Sequence, residues 1–564
     1  MALVKLTTAA GEALTGTPWD VYPRPQMRRG SYVNLNGIWD FTVTQSTDLP
    51  GEYDHKIKVP FCPESELSGI GTHFSEGSSL FYRRKLTLPQ DFCQGRVLLH
   101  FGAVDQYAEV YVNQTLVGTH TGGYDAFCID ITNHLREENE LVVRATDDLR
   151  SHVLPYGKQV MQRGGMWYTP VSGIWQTVWL ECVPESYIQG LDIQVTGTSA
   201  TVTVTPALCG TVTLQGKDYP LDNGKAVLTP EYPHLWSPED PYLYDFTVQA
   251  GEDRVESYFA LRTLEIKQVG KYPRLCLNGK PYFFHGLLDQ GYWPDGLFTP
   301  ATPACYESDI LAAKQLGFNM LRKHIKVEPE QFYYDCDRLG MVVFQDMVNN
   351  GDYNFLRDTA AATFLSQKRS DIKMHTDPTT RKAFLDSMEA TVRQLKNHPS
   401  ICYWTIFNEA WGQFDSTSAY RRLKALDSSR FIDATSGWFR CGESDVESLH
   451  IYFDMWHRLQ PSKKPLVLSE FGGFAHGVTD HIFNTGKAYG YGTCKTPAQL
   501  NQKLHDLYFS RVIPAVKKGL CAAVYTQISD VEDEINGLLT YDRKVCKADP
   551  GTMLEIAQAL QEAL

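Results

Sequence analysis

The chain has 564 residues and a formal net charge of −13, and no stretch is rich in lysine and arginine. This length is enough for about three or four domains, and the acidic balance argues against nucleic acid or an anionic membrane as the main partner. A small neutral ligand fits better. The amino terminus lacks a long apolar core and no run of about 18 apolar residues occurs, so we expect a soluble cytoplasmic protein without a signal peptide.

Cysteines are numerous but scattered. The 13 cysteines are an odd number spread over a long chain, and no two stand at Cys-x-x-Cys spacing. This pattern is not typical of a disulfide framework or of a zinc knot. The sequence also lacks a tight cluster of histidine and acidic ligands. We therefore expect no metal and no other cofactor.

The first part of the chain is dense in strand and turn signals. Alternating runs such as 32–41 and 108–113, separated by Gly, Pro and Asn, predict an all-β sandwich over residues 1–184. Shorter alternating runs such as 242–248 predict a second, immunoglobulin-like sandwich over residues 185–265.

Beyond residue 265 the pattern changes to apolar runs that alternate with helical segments. This alternation is typical of βα units, and over residues 266–564 it predicts a (β/α)8 TIM barrel. The eight candidate strands are Tyr282 to Gly286, Asn319 to Arg322, Val342 to Gln345, Ile401 to Phe407, Ile432 to Thr435, Ser448 to Tyr452, Leu466 to Ser469 and Ala522 to Thr526. Helices are predicted around 305–316, 329–339, 380–396 and 497–518.

A glutamate follows two of these candidate strands. Glu409 closes the run that begins at Tyr403, and Glu470 closes the run that begins at Pro465, so the carboxylates follow the fourth and seventh strands. In a β/α barrel the reacting groups lie where the strands end. Two carboxylates at one barrel mouth are the minimum equipment for glycoside hydrolysis. We therefore predict an enzyme whose partner is a small carbohydrate.

Several stretches resemble glycoside hydrolase family 2, which contains β-galactosidases, β-glucuronidases and β-mannosidases. Phe101 to Asn113, Gly122 to Phe127 and Trp167 to Glu181 look like the jelly-roll, sugar-binding-type sandwich of that family. Leu235 to Tyr244 looks like the end of its immunoglobulin-like domain. The resemblance covers essentially the whole chain, and it implies two sandwiches followed by a catalytic barrel.

The resemblance also implies roles for individual residues. Asn408 and Glu409 match the Asn-Glu pair that carries the acid/base, and Glu470 matches the nucleophile. The implied reaction is a retaining double displacement. Tyr452 matches the tyrosine that hydrogen-bonds the nucleophile. Asn408 is expected to bind a sugar hydroxyl.

The chain departs from the family after Arg322. Galactosidases and glucuronidases resemble Arg-x-Ser-His-Tyr-Pro there, so the family histidine falls on Ile325. His324 stands one residue earlier, where strand alternation points a side chain differently. Arg322 and His324 are still predicted to contact substrate. His450, in the sixth candidate strand, is expected either to contact the sugar or to be a structural histidine.

Aromatic and acidic residues near other strand ends complete the predicted sugar site. Asp289 and Trp293 follow the first candidate strand, and Trp438 follows the fifth. Tyr525 stands near the end of the eighth strand, where the family often has a tryptophan that forms the floor of the sugar subsite.

The identity of the sugar stays open. The Asn-x-Lys motif of glucuronidases has no lysine in the corresponding stretch, 534–543, which disfavours a glucuronide. The leading hypothesis is an exo-acting, β-galactosidase-like enzyme. The alternatives are the same mechanism on an arabinopyranoside, a galacturonide or a glucuronide, and a carbohydrate-binding protein that has lost catalysis. A homo-oligomer is compatible with the sequence.

Overall fold

The computed structural model describes residues 3–90, 92, 95–361 and 370–564. Two β-sandwiches precede an eight-stranded parallel barrel, and this confirms the predicted architecture. The exact domain boundaries stay a prediction, because a small hairpin sheet lies between the second sandwich and the barrel.

The first sandwich is built from antiparallel sheets. Their orders are β1-β12-β5-β9 and β3-β2-β4-β10-β7-β8, with a small pair β11-β6. The apolar faces of the two larger sheets meet in one core, in which Trp39 and Phe41 pack with Leu99 and Leu180. The strands are β1 Tyr32–Asn34, β2 Gly37–Thr44, β3 His55–Val59, β4 Ser79–Leu86, β5 Arg96–Phe101, β6 Val104–Asp105, β7 Tyr107–Val112, β8 Thr115–Thr121, β9 Phe127–Asp130, β10 Asn139–Thr146, β11 Gly173–Ile174 and β12 Val178–Val183.

Several strands of the second sandwich alternate buried residues with more exposed ones. In the segment Ser199–Thr205, Val202 and Val204 are buried while Thr203 between them is more exposed, as expected for a sheet with one face in the core. The sheet orders are β13-β14-β17 and β16-β15-β18-β19. The strands are β13 Gly190–Thr196, β14 Ser199–Thr205, β15 Gly210–Leu214, β16 Lys217–Leu221, β17 Lys225–Leu228, β18 Tyr244–Ala250 and β19 Asp253–Phe259.

A buried ion cluster joins the two sandwiches. Arg29 lies 3.1 Å from Glu181 of the first sandwich and 2.8 Å from Asp253 of the second. Arg24 and His100 also approach Glu181, which is fully buried. Burial acts to raise the pKa of Glu181, but the charges of Arg24 and Arg29 and the hydrogen bond with His100 lower it below its usual range. The cluster therefore depends on an ionised glutamate.

The barrel strands lie close to their predicted positions. β20 Leu264–Val269, β21 Tyr272–Leu277 and β22 Lys280–Pro281 form the small hairpin sheet. The barrel order is β27-β26-β25-β24-β23-β30-β29-β28, and the two end strands contact each other, so the sheet is nearly closed. Its strands are β23 Phe284–Asp289, β24 Met320–Lys323, β25 Val342–Asp346, β26 Ile401–Asn408, β27 Phe431–Ser436, β28 Glu447–Ile451, β29 Leu466–Phe471 and β30 Leu520–Tyr525.

Helices begin where the sequence supplies capping groups. The side chains of Asp377, Thr496 and Asp549 each accept a hydrogen bond from a backbone N–H in the following turn, and each is followed by proline. The α-helices are Ala9–Glu12, Ala304–Gln315, Glu330–Leu339, Pro378–Leu395, Ser416–Leu426, Pro497–Leu507, Ile513–Val516 and Pro550–Glu562, with π-helices at Phe355–Ala361 and Tyr508–Val512 and 3₁₀ turns at Pro25–Met27, Glu66–Ser68, Thr132–His134 and Trp456–Arg458. Within the described chain, every helix is too short or too polar to cross a membrane.

One long connection of the first sandwich reaches the barrel. We call residues 147–172, which join β10 to β11, the mouth loop. Its Tyr156 donates from the backbone N–H to the carbonyl of Asn349, just beyond β25, at 3.0 Å. Its Thr169 N–H donates to Glu532, beyond β30, at 3.0 Å. The mouth loop therefore spans the carboxyl ends of barrel strands.

Candidate active site

The two predicted glutamates meet at the barrel mouth. Glu409 directly follows β26, and Glu470 lies near the end of β29. One carboxylate oxygen of each, together with a ring nitrogen of His450, lies within a 4.8 Å cluster. The Glu470 side chain is 5% exposed and the Glu409 side chain 15% exposed, so both carboxylates are shielded but Glu409 is the more open to solvent.

The backbone at Glu409 takes an unusual conformation. Its φ is +53° and that of Ala410 is +63°, in the left-handed region that non-glycine residues rarely occupy. The Glu409 N–H donates to the carbonyl of Ser436 on β27 at 2.8 Å, which holds the turn. Such backbone strain collects at functional sites. Here it turns the carboxylate away from the strand direction toward Glu470.

Glu470 is held in its ionised form. Arg322 donates to its Oε1 at 3.0 Å, and the Tyr452 hydroxyl donates to its Oε2. Burial acts to raise the pKa of Glu470, but the interactions with His450, Arg322 and His324 and the Tyr452 hydrogen bond lower it to about 2. A carboxylate that stays charged at neutral pH is suited to nucleophilic attack.

Arg322 organises the site rather than facing solvent. Besides Glu470, its guanidinium donates to Asp346 at 3.0 Å, to the Asn408 side-chain oxygen at 2.8 Å and to the Ser469 carbonyl at 2.9 Å. The side chain is only 1% exposed, and these contacts hold neighbouring protein groups in place. By fixing the oxygen of Asn408, it leaves the Asn408 amide nitrogen available to donate to a ligand.

His450 lies between the two carboxylates. Its Nδ1 is 2.7 Å from Oε1 of Glu409 and 3.4 Å from Oε2 of Glu470. Its Nε2 faces the Ser436 hydroxyl at 3.0 Å and Arg322 at 3.5 Å. Since a guanidinium only donates hydrogen bonds, Nε2 is the acceptor and Nδ1 carries the proton toward Glu409. The oxygen Oε2 of Glu409 has no hydrogen-bond partner among the described residues.

His324 also reaches the site, although alternation along a regular strand predicted a different direction. β24 ends at Lys323, and Ile325 has a φ of +54°, so the chain turns here. His324 Nδ1 is 2.8 Å from Asp346 and 3.9 Å from Glu470. Burial lowers the pKa of His324, although its bond to Asp346 opposes the shift. The neighbouring Ile325 is buried.

Thr526, and not the predicted Tyr525, lies beside Tyr452. Tyr525 is 0% exposed; its ring packs edge-on against Phe471 and its hydroxyl accepts from the Phe474 N–H at 3.1 Å. No face of this ring is open to a sugar. Thr526, the next residue, lies 3.0 Å from the Tyr452 hydroxyl. Adjacent side chains of an extended chain point in opposite directions, so Tyr525 faces the core while Thr526 faces Tyr452.

The remaining predicted residues divide into two groups. Trp438 approaches His450 edge-on at 5.7 Å, and its buried indole N–H has no partner among the described residues. Asp289 instead accepts from Lys323 at 2.6 Å. Trp293 is buried against Tyr306 and the guanidinium of Arg543. Trp438 thus lies beside the glutamates, whereas the contacts of Asp289 and Trp293 are with structural neighbours.

Sequence inspection missed a wall made of later loops and of the mouth loop. The Tyr491 ring stacks on Tyr452 with centroids 3.8 Å apart. Glu534 accepts from the hydroxyl of Tyr168, a mouth-loop residue, and from Asn536 at 3.0 Å. Tyr168 lies within a stretch already noted for its family resemblance, and the Tyr-x-Tyr spacing at 489–491 was the only local signal for Tyr491.

The cluster of Glu409, His450 and Glu470 could geometrically hold a cation. However, Arg322 places a positive charge 3.0 Å from Glu470, where a cation would be repelled. The hydrogen bond between His450 and Glu409 also uses the ligand atoms that a metal would need. The donor set therefore suits proton transfer and nucleophilic attack better than metal binding.

Successive parts of the chain match models of the same protein family. It matches "Glycosyl hydrolases family 2, sugar binding domain" over residues 69–184, "Glycosyl hydrolases family 2" over residues 189–262 and "Glycosyl hydrolases family 2, TIM barrel domain" over residues 269–475. Among curated relatives, a β-galactosidase of Thermoanaerobacter pseudethanolicus is 24% identical over 550 residues, covering 88% of this chain and 67% of the relative. A β-glucuronidase of Felis catus is 24% identical over 573 residues, covering 84% of this chain and 82% of the relative.

Solved structures share the whole architecture. A β-glucuronidase from an uncultured Clostridium sp. superimposes with a TM-score of 0.72 at 18% identity, covering 96% of this chain and 99% of the other. A β-galacturonidase from Eisenbergiella tayi, bound to galacturonate, has a TM-score of 0.67 at 18% identity, covering 96% and 99%. The family matches together span most of the chain, and they show that this protein belongs to glycoside hydrolase family 2 and is a glycoside hydrolase.

Proposed function

We propose that the protein is a retaining exo-β-glycosidase that removes a terminal β-linked sugar. The observation that carries this proposal is the approach of the Glu409 and Glu470 carboxylates within the 4.8 Å cluster. Retaining enzymes place these groups about 5–5.5 Å apart, whereas inverting enzymes leave about 6.5–9.5 Å for a water molecule. The short separation supports a covalent glycosyl intermediate.

The mechanism follows from the environments of the two glutamates. Glu470, charged and fixed by Arg322 and Tyr452, attacks the anomeric carbon. Glu409 protonates the glycosidic oxygen through its unpartnered Oε2 and then deprotonates the water that releases the sugar. The Asn408 amide nitrogen is free to donate to a sugar hydroxyl. Enclosure by the mouth loop supports action on a chain end.

For the glycone we propose a class of sugar rather than a single sugar. The relatives described above include a β-galactosidase, a β-glucuronidase and a β-galacturonidase, so a galactoside or a uronide with the same mechanism is the leading substrate. The alternative of a non-catalytic carbohydrate-binding protein is disfavoured because both carboxylates and their hydrogen-bond partners are in place.

Two glutamate variants test the roles directly. We expect Glu470→Gln to abolish turnover of aryl β-glycosides. Glu409→Gln should lower kcat/KM about 10²–10⁴-fold for a substrate that needs protonation of its leaving group, and azide should restore turnover of an activated aryl glycoside as the β-glycosyl azide. Glu447→Gln, at the amino end of β28, is the matched control with near-wild-type activity.

The stereochemistry provides a second readout. Proton NMR of the first product should show the β-anomer. An α-anomer would refute the retaining mechanism, and near-normal activity of Glu470→Gln would refute the nucleophile assignment. Sugar binding without turnover on a broad panel of aryl glycosides would favour the binding protein.

A further inference from the structure

The mouth loop brings a lysine to the barrel mouth. Gly157, which precedes Lys158, lies so close to the chain after β24 that an added Cβ would be 2.9 Å from the Ile325 carbonyl oxygen. The Lys158 carbonyl accepts from the Tyr168 N–H at 3.0 Å, which pins the lysine backbone. The loop thus positions Lys158 beside the turn that carries His324.

An aromatic surface supports this lysine. The Lys158 ammonium lies 5.5 Å from the ring centre of Trp167. Trp167 packs edge-on against Trp411 at 5.0 Å, and Trp411 follows Glu409 by two residues. The ammonium therefore lies against aromatic side chains that extend to the segment bearing Glu409.

The other buried cations of this region are already neutralised. Lys323 donates to Asp289 at 2.6 Å and to Glu328 at 2.9 Å. Lys326 donates to Glu328 at 3.0 Å and to two backbone carbonyls. Both ammonium groups are therefore already paired with protein groups.

Lys158 differs from these lysines in its partners. It is half-buried, and its ammonium has no hydrogen-bond or salt-bridge partner within the described part of the chain. A lysine ammonium has three N–H donors, and those of Lys158 are available to a ligand. An anionic ligand group would supply the missing partner.

The positive charge of Lys158 extends into the site. Burial is the main cause of the pKa shifts of His324 and Glu534; the charge of Lys158 acts to lower both pKa values, and the charge of Glu470 acts to raise both. Because the mouth loop also packs against the chain at Ile325 and Asn349, Lys158 lies at the end of the barrel that carries the proposed nucleophile. Burial raises the pKa of Glu534, which reduces the negative charge that this residue would present to an anionic ligand.

We propose that Lys158 binds the carboxylate of a uronide glycone and thereby sets the substrate class. This proposal rests on the proposed glycosidase function. It places the determinant of acidic-sugar recognition in the first sandwich rather than in the barrel, and it accounts for the absence of a lysine in the stretch 534–543. The Trp167 ring beside the ammonium offers an apolar surface to the sugar ring.

The test compares matched aryl glycosides that differ only at C6. The pairs are β-galacturonide with β-galactoside and β-glucuronide with β-glucoside. The wild-type enzyme should prefer the uronide in at least one pair. In Lys158→Met, the ratio of kcat/KM for uronide over neutral sugar should fall about 10- to 150-fold, as expected for one lost charged hydrogen bond. Lys158→Arg should recover part of this ratio.

Lys217→Met is the control, since Lys217 also lies over an aromatic ring, Tyr219, at 4.8 Å but belongs to the second sandwich. It should leave the ratio unchanged. A wild-type preference for the neutral sugar in both pairs, or an equal loss on both members of a pair in Lys158→Met, would overturn the proposal.

Failure of the glycosidase function is separable from failure of this proposal. If no glycoside is turned over, calorimetric titration with free galacturonate, glucuronate, galactose and glucose still tests the lysine. Tighter binding of a uronate by the wild type, lost in Lys158→Met, would support the role of Lys158. Equal binding of acidic and neutral sugars by both proteins would reject it.

Discussion

His450 provides the sharpest test of how Glu409 is positioned. Its Nδ1 donates to Glu409 at 2.7 Å while its Nε2 accepts from Ser436 and Arg322. The amide nitrogen of Asn can take the place of the donor Nδ1, and the amide oxygen of Gln the place of the acceptor Nε2, because each lies the same number of bonds from the backbone. His450→Gln therefore removes the bond to Glu409, and His450→Asn keeps a donor near it.

The expected magnitude comes from that one hydrogen bond. A hydrogen bond to a charged group contributes about 1.5–3 kcal/mol, so His450→Gln should lower kcat/KM about 10- to 150-fold for substrates with poor leaving groups. His450→Asn should retain much of the activity. A dinitrophenyl glycoside needs no protonation of its leaving group, so the loss of kcat/KM that His450→Gln causes on this substrate should be much smaller.

The assay is a series of aryl glycosides with leaving groups of graded basicity. His450→Gln should steepen the dependence of kcat/KM on leaving-group basicity, in the same sense as Glu409→Gln. His285→Gln, which changes a buried barrel histidine bonded to Gly317 and Tyr508, controls for general loss of packing. An equal loss with every leaving group, or equal losses in the Asn and Gln variants, would refute the assigned contact.

Three further predictions follow from other contacts. Tyr452→Phe should lower kcat/KM about 10- to 150-fold because it loses the hydrogen bond to Glu470. It should also move the acid limb of the pH profile to higher pH, because removing this bond raises the pKa of Glu470. An acid limb at the wild-type pH would contradict this prediction. Glu181→Gln should destabilise the sandwiches by about 3–5 kcal/mol at pH 7 in thermal or urea unfolding. Since the native pKa of Glu181 is lowered, the difference in unfolding free energy between wild type and variant should shrink as pH falls below about 4.3. A difference that does not change with pH would count against the ion cluster. Thr526→Ala should change kcat/KM, because Thr526 contacts Tyr452. Tyr525→Phe should instead cost about 1 kcal/mol of stability and leave KM unchanged. A changed KM in Tyr525→Phe together with an unchanged kcat/KM in Thr526→Ala would restore Tyr525 as the sugar platform.

The features that could be predicted are those encoded locally. The parallel strands are continuous apolar runs because both of their faces are buried, and all eight were predicted close to their observed bounds. Glu409 and Glu470 follow such runs directly, so their meeting at one mouth followed from barrel topology alone. The shared architecture was likewise visible in whole-chain motifs and is confirmed by the family matches.

The features that could not be predicted depend on single-residue direction and on distant contacts. The choice between Tyr525 and Thr526 turns on where β30 ends, and boundaries of this kind are the least certain part of a sequence pattern. His324 reaches Asp346 only because the backbone turns at Ile325. The approach of Tyr168 to Glu534 joins residues 366 positions apart, and no periodicity along the chain encodes it.

The mouth loop makes docking of the first sandwich and occupation of the sugar site thermodynamically coupled. Through Tyr168 and Thr169 the sandwich holds residues after β30, and through Tyr156 it holds the segment after β25. A sugar that contacts both the loop and the barrel must stabilise their association, and by reciprocity the association must strengthen sugar binding. Substitutions at the sandwich–barrel interface should therefore weaken substrate affinity even where no altered side chain touches the sugar.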